Sequence, residues 1–520
     1  MLSNRIPTIR SQTLVGASLF FLGLWLAYEI GRKIAVGDLN SLVFITLGFI
    51  VCAVAVTILR NWRAGFYSFL TWLLFEDLVR KYMGNNTVLF FGKDVLAFLT
   101  YLSLFAAVRA GREKAFRPKF LLFLTIFVWL GLMQIFNPHS PHVLYGILGF
   151  KIYFFYVPMM YVGYALIRTD EDLRKFLVMN AVLAGIIAAL GIAQAIMGHS
   201  FLNPSNLAPE LRELGELDKY SPLTNQILSL PTAVFVSSGR FANYLIIAII
   251  LVLGTAGYLL LYTRRNRKLI FAATAIVGAA ILFSGSRGAV MYGAISALVL
   301  SVGFLWGAPW KAIRRSLIGA VLGLAAVILI FPTQVASRLA FYGETLLPNS
   351  SAYELTHRGW EYPIQNLMLA FTNPNWVLGN GIGLASLGSQ YVSKLLGQPP
   401  FTLWVEEGYG QLIIEMGIVA PFLWIAWTAA LLYSMWQVLK GLRQTRFFPI
   451  GFAIFWYAFL LLYPSTYGGL APYQNYVDNA YLWLLVGVFF ALPGVLAAAP
   501  SVPAIANPVR TKRRADLSFV

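Results

Sequence analysis

The sequence predicts an all-α, polytopic membrane protein: about 12–14 transmembrane helices, with two larger extracytoplasmic loops at about 198–240 and 333–406. Three observations predict it. Of 520 residues, 59% are hydrophobic and only 12% charged, against about 25% charged in a soluble domain. Continuous apolar runs of about 17–25 residues, the length that crosses a bilayer as a helix, recur from end to end. Basic residues fill every second connection between these runs, the pattern left by short cytoplasmic loops that collect Lys and Arg. The runs do not alternate apolar with polar, so helices rather than barrel strands satisfy the backbone in hydrocarbon.

In chain order, the first helix at about 13–31 follows MLSNRIPTIRSQ with no small-residue cleavage site, and is read as retained. Further helices fall at about 40–59, 65–79 (the shortest), 91–109, 119–136, 145–167, 175–197, 241–262, 268–284, 288–307, 315–332, 407–436, 447–463 and 479–497. The basic connections hold Arg109, Arg112, Lys114, Arg117 and Lys119; then Arg168, Arg174 and Lys175; then Arg264, Arg265, Arg267 and Lys268. Lys311, Arg314 and Arg315 follow, then Lys440, Arg443 and Arg446. These loops are assigned to the cytoplasm, with both termini inside and His139, His142, His199 and His357 outside. Residues 1–497 form one transmembrane domain. The tail at 498–520, rich in Pro and Ala, is expected to be disordered, its Arg510, Lys512, Arg513 and Arg514 set against anionic lipid. Glu210, Arg212, Glu213, Glu216, Asp218 and Lys219 read as a short solvated helix over the membrane. The lone Cys52 excludes a disulfide framework or thiolate metal site. The net charge of +18 is absorbed by topology and calls for no nucleic acid.

Function begins with basic residues on the wrong side of that pattern. Arg287 lies in FSGSRGAV, Arg240 in SSGRFANYL, Arg80 and Lys81 in FEDLVRKYMGNN, and Lys93 beside Asp94 in FFGKDVL, all at outer boundaries; Lys151 lies in the outer third of a helix. A charge at membrane depth costs about 2.5–3.5 kcal/mol on insertion scales, so such residues face a bundle interior or cavity. Each alone can snorkel to headgroups or pair with a carboxylate. Several on one face point to an anionic ligand, and the planar Arg fork suits a diphosphate.

The order of these outer-face motifs resembles the O-antigen ligase and O-antigen polymerase superfamily of bacterial membrane glycosyltransferases, mainly over about 236–436. SSGRFANYL is similar to the family's Arg-containing segment before a helix, and FSGSRGAVM to its Ser-x-Ser-Arg-Gly turn. HRGWEYPIQNLMLAFTNPNWVLGNGIGLAS is similar to its Arg-x-x-Trp-like element and Gly-x-Gly. VEEGYGQLIIEMGIVAPFLWIAW looks like its helix from His-Asn-x-Tyr to Glu-x-Gly. The resemblance implies a GT-C-like fold in the bacterial inner membrane, no metal or other cofactor, and glycan transfer from undecaprenyl diphosphate to a sugar hydroxyl on the periplasmic face. The acceptor is a growing glycan in polymerases and lipid A core in ligases; a chain-length regulator is a candidate partner. Carried over, Arg240 and Arg287 clamp the donor diphosphate and Arg358 belongs to a lid-like loop. Arg80, Lys81, Lys93 and Lys151, with Arg358, His357 and Tyr409, are the substrate-binding candidates.

The chain departs from the family where His-Asn is expected: it has Glu406-Glu407, while Tyr409, Glu415 and Gly417 keep the register. Polymerase therefore leads ligase. Departing diphosphate needs preorganised cations, and the attacking hydroxyl needs a base. Glu406 or Glu407 is the candidate base, Glu406 by register, with His357 as runner-up; either glutamate can equally serve the helix dipole. His139 and His142 lack metal-ligand spacing. Gly379, Gly381 and Gly383 have no Rossmann context and are read as a tight turn where the loop re-enters the bundle. Trp360, Trp376 and Trp404 are read as interfacial aromatics or sugar-stacking rings. A lipid-linked oligosaccharide transporter is the alternative of another class, but it predicts charges along a through-membrane path, often with inverted repeats.

Overall fold

A computed structural model describes residues 32, 52–221, 225–262, 266–307, 329, 331–344, 356–397 and 405–498. The expected helix at 13–31, most of those at 40–59 and 315–332, Arg264, Arg265, Lys311, Arg314, Arg315, Trp404 and the tail beyond Ala498 lie outside the described residues. Each remaining expected helix is present. They are α1 (Trp62–Met83), α2 (Thr87–Arg109), α3 (Leu121–Gln134), α4 (Val143–Phe154) continued by α5 (Met159–Leu166), and α6 (Asp170–Met197). After α7 (Pro209–Gly215) come α8 (Ser238–Tyr262), α9 (Arg267–Phe283), α10 (Arg287–Gly307) and α11 (Pro332–Glu344). Short α12 (Tyr362–Phe371) and α13 (Ser389–Leu396) precede α14 (Gly408–Met416), α15 (Val419–Leu442) and α16 (Phe448–Leu462). Small α17 (Pro464–Gly468) and α18 (Ala471–Gln474) lead into α19 (Tyr476–Ala498). Among the described residues, eight helical stretches are long and apolar enough to cross a membrane. The chain is a multi-pass, predominantly α-helical membrane protein.

Side-chain contacts sort the connections onto two ends of the bundle. At one end, Arg63 donates to the carbonyls of Leu166 and Ala165 (3.0 and 3.2 Å), Arg168 pairs with Glu113, and Arg446 lies 3.5 Å from Asp170. Tyr258 at the close of α8 donates to Asp170, and Arg443 to the carbonyl of Trp306. This basic end gathers the loops at 109–119, 166–175 and 440–447. At the opposite, loop end, Asn137 donates to the carbonyl of Gly379, Arg338 to that of Ser229, and Lys394 pairs with Glu210.

Two expected helices are broken, each for a local reason. The 145–167 run divides at Phe155–Pro158 because Pro158 supplies no N–H and crowds the preceding turn. The 407–436 run divides at Gly417 (φ +83°), where a Cβ would stand 2.3 Å from the carbonyl oxygen of Val377. The glycine loop presses in here: Gly379, Gly381 and Gly383 all have positive φ, and Gly383 touches the backbone of α4. Another departure from an all-helical chain is a two-stranded antiparallel hairpin, β1 (Asp218–Ser221) with β2 (Gln226–Ser229), turned through left-handed Asn225. Only 209–215 of the mixed-charge segment is helical; beyond it Tyr220 and Ile227, a cross-strand pair of β-favouring residues, help to hold the hairpin together.

The core centres on α19. Gly163 of α5 and Gly487 of α19 let the two backbones meet, since a Cβ at either would lie about 2 Å from the other helix's carbonyls. Trp424, Trp427 and Trp483 interlock beside them, fully buried.

Candidate active site

Five of the cations nominated by the sequence meet at the loop end. On α1, FEDLVRK places Glu76 and Arg80 one turn apart, and Arg80 lies 3.7 Å from Glu76 and 2.9 Å from Asp77. Lys93 of α2 reaches Glu76 at 2.9 Å, and Lys151 of α4 reaches Asp94 at 2.6 Å. Arg240, in the first turn of α8, lies 2.8 Å from Asp77 and donates to the Tyr476 hydroxyl at 3.0 Å. Lys81 donates to the Thr232 hydroxyl and the Ala233 carbonyl, at 2.7 and 3.0 Å. Aromatic faces complete the setting: the Lys93 ammonium sits 3.6 Å from the Phe90 ring centre, and Arg240 packs over Tyr476. Glu76, Asp77, Arg80 and Lys93 are essentially inaccessible, whereas the Arg240 and Lys151 side chains keep 24% and 19% exposure. Among the described residues, five cations (Arg80, Lys81, Lys93, Lys151, Arg240) face three carboxylates (Glu76, Asp77, Asp94), a formal excess of two positive charges. Two partly open cations on a rigid buried base can receive an anion without reorganising.

Arg287 opens α10 and is half-buried, its guanidinium 4.6 Å from the Phe341 ring centre on α11. The SGSR turn is tied to the same helix: Tyr342 accepts from the Gly285 N–H and donates to the Leu282 carbonyl. Arg287 thus sits against α11, whereas Arg80, Lys93 and Arg240 share the carboxylates of α1. The link runs through one stretch of chain, since Arg338 of α11 holds Ser229 while Lys81 holds Thr232 and Ala233 a few residues on.

A pocket of about 340 Å³ lies beside this assembly, walled by Tyr292, Leu387, Glu406, Gln411, Ser465 and Gln474 among others. Short stretches of chain lead from the pocket to the cluster. Leu387 and Gln474, joined by a hydrogen bond of 3.1 Å, line the pocket. Tyr476, two residues after Gln474, touches Arg240 and Lys93, and Tyr391, four residues after Leu387, stacks on Phe90. Tyr292 joins the pocket to α10, the helix that Arg287 opens.

The structure separates the two adjacent glutamates. Glu406 lines the pocket, is 40% exposed at its side chain, and pairs with Arg358 at 3.1 Å. Glu407 turns inward as the N-cap of α14, accepting from the backbone N–H groups of Tyr409 and Gly410. Burial pushes its carboxyl up to about 7, against the pull of those two backbone bonds. Arg358 and His357 sit on an exposed π-helical turn; His357 packs on Tyr362 and lies 3.4 Å from Glu361. Tyr409 is half-buried against the main core. Glu415 is fully buried, accepting from the hydroxyls of Tyr153 and Ser386 at 2.8 Å, and Gln474 donates to both of those hydroxyls.

His142 caps α4 through Nδ1, and among the described residues no group of three His, Cys, Asp or Glu side chains is placed to hold a metal. Trp360 is exposed and Trp376 packs beneath the loop helices. Sequence reasoning missed Glu76, Asp77, Tyr476 and the pocket's Tyr292, Gln411 and Gln474. The first two were legible, because carboxylates three and four residues before Arg80 share its helix face. The others come from distant segments and carried no local signal. No family model matches the chain, and no curated protein matches it.

Proposed function

We propose that this chain is a metal-independent membrane glycosyltransferase that polymerises a bacterial surface polysaccharide, transferring glycan from undecaprenyl diphosphate to a sugar hydroxyl. In this reading the bundle is GT-C-like with about 12–14 spans in the inner membrane, its loop end faces the periplasm and both termini are cytoplasmic. The observation that carries the reading is the surplus of two cations on a buried base, next to a pocket bearing a carboxylate. When the anomeric C–O bond breaks, negative charge grows on the departing diphosphate, and Arg240, Lys151 and the cluster beneath them stabilise it. Arg287, with a fork that point-charged Lys cannot copy, contributes from the neighbouring turn. Glu406 accepts the proton of the acceptor hydroxyl as that oxygen attacks the anomeric carbon. Arg358 holds Glu406 at the pocket mouth. Glu407, committed to its helix cap, supports the wall. The concentration of these charges at one end supports transfer over transport, which would place them along the helices.

Glycan profiling of a strain lacking the chain tests this reading, with complementation by Arg287→Ala and Arg287→Lys. Single repeat units without long chains support polymerisation. Intact lipid-linked polymer missing from lipid A assigns the chain to ligation instead. Arg287→Ala should fail to restore polymer at normal protein level and Arg287→Lys should restore little; full complementation by Arg287→Ala removes that residue from the site.

A further inference from the structure

The pocket beside Glu406 differs in kind from the cationic cluster next to it, and the difference bears on what it takes. Among the described residues its lining contains one charged side chain, Glu406, and neither Lys nor Arg. Tyr292, Ser465, Gln411 and Gln474 bring hydroxyl and amide groups, while Ala385, Leu387, Val405 and Pro472 make apolar surface, and Gly468 and Gly469 leave backbone uncovered. Anions find no counter-charge among the described lining residues, and a purely apolar ligand would take the partly exposed Glu406 carboxylate out of water. A ring that is apolar on its faces and hydroxylated at its rim matches both halves of this lining. We propose that the pocket is the subsite for the terminal, uncharged monosaccharide of the acceptor. The volume of about 340 Å³ lies at the small end of ligand sites, which run from about 300 to 1,000 Å³, so it takes one sugar unit rather than a whole repeat.

The polar groups are fixed before any ligand arrives. Gln474 is held at both ends, accepting from the Leu387 N–H and donating to Tyr153 and Ser386, which are themselves anchored on buried Glu415. Gln411 donates to the Ala385 carbonyl at 2.8 Å. Recognition by a prebuilt wall costs little ordering entropy. Glu406 then meets a ring hydroxyl, and the chain beyond Leu387 and Gln474 leads to Tyr391 and Tyr476 and so to the cluster. Naming this ring as the acceptor rests on the proposed transferase activity; the sugar selectivity of the pocket does not.

Ala471 lines the pocket from an exposed position, so Ala471→Trp fills the space without disturbing the core. Full-length protein in nanodiscs is titrated with methyl glycosides of glucose, galactose, mannose, rhamnose and N-acetylglucosamine, followed by saturation-transfer NMR, and separately with farnesyl diphosphate. The expected result is transfer to at least one glycoside, weakened about tenfold or more by Ala471→Trp because the indole occludes the ring, with farnesyl diphosphate affinity unchanged. Tyr292→Phe, which keeps the ring and removes the hydroxyl, should weaken glycoside binding less. Equal glycoside binding by wild type and Ala471→Trp overturns the assignment, as does no binding of any glycoside by wild type that still binds farnesyl diphosphate. Pocket-dependent glycoside binding without farnesyl diphosphate binding upholds the sugar site and removes the diphosphate cluster from the proposed function.

Discussion

Arginines and lysines do opposite work at the two ends of this bundle. At the basic end they lie near water and meet partners that could be lost cheaply: Arg174 pairs with Glu171 across one helical turn, and both side chains remain partly exposed. At the loop end the same residue types are stripped of water, with Arg80, Lys93, Glu76 and Asp77 at most 1% exposed. Removing charges from water costs several kcal/mol per ion, recovered only by close partners. A group of five basic and three acidic side chains gathered on that dry base calls for a reason other than topology. Residue type therefore says little in a membrane chain, and depth combined with charge balance says much more.

The largest expected effect tests the buried side of this contrast. Asp77 meets Arg80 and Arg240 at 2.9 and 2.8 Å, and the Val236 N–H donates to it. Asp77→Ala leaves two guanidinium groups facing each other, and breaking a buried pair costs about 3–5 kcal/mol. Reversible unfolding in bicelles should show that loss, and Arg240→Ala added to it should cost far less than in wild type, because the partner is already gone. A loss below about 1 kcal/mol for Asp77→Ala, the range of surface pairs, would erase the distinction between the ends.

Next in size is a carboxylate at the loop end that is paired but open to the pocket. Glu406→Gln keeps the shape and a hydrogen bond to Arg358 while removing the base, and should slow chain growth by about 10²-fold with donor affinity little changed. The assay is elongation of lipid-linked repeat units by purified protein. A wild-type rate in Glu406→Gln with a dead His357→Ala would move the base to the exposed π-helical turn.

Which parts of the molecule were open to sequence reading depends on which contacts are local. Apolar run length gave every described membrane helix, because crossing hydrocarbon constrains length directly. It passed over the breaks at Pro158 and Gly417, since hydropathy ignores backbone geometry even when the breaking residue is plain to see. The hairpin at 218–229 was lost among charges that suggested a helix. The unusual cations were readable one at a time as misplaced charge. Their assembly was not, because Lys93, Lys151 and Arg240 come from three helices and meet through carboxylates and aromatic rings that drew little notice. The pocket was least legible of all, being built by segments from α10 to α18 whose residues are individually ordinary.

A smaller effect comes from Glu407, the buried neighbour of Glu406. Its folded pKa stands near 7, above the ordinary 4.5, because burial penalises the charged form. The raised value fixes the sign: the stability due to its protonated form is fully present below about pH 4.5 and is lost as pH rises through about 7. Wild-type thermal stability should therefore fall across that window more steeply than that of Glu407→Gln, which stays neutral and keeps an oxygen to accept from the helix N-terminus. Parallel pH profiles for the two proteins would mean that the cap remains charged throughout.

The smallest expected effect lies at the basic end and completes the contrast. Arg174 contacts Glu171 at 2.5 Å, three residues earlier in the first turn of α6, and the Glu171 side chain is 47% exposed. Water already solvates both charges, so the pair gains little from its Coulomb attraction and gives up side-chain freedom to form. Arg174→Ala should cost about 0.2–1 kcal/mol, and the difference should shrink as salt is raised towards 1 M, where the screening length falls to about 3 Å. The Asp77→Ala penalty, shielded from ions by burial, should keep its size over the same range. Unfolding both variants at low and high salt, side by side in one bicelle preparation, separates these behaviours. If the Arg174→Ala penalty exceeds about 2 kcal/mol, or persists unchanged in 1 M salt, then the basic end is as tightly built as the loop end. Burial alone would then not mark which charges belong to the site.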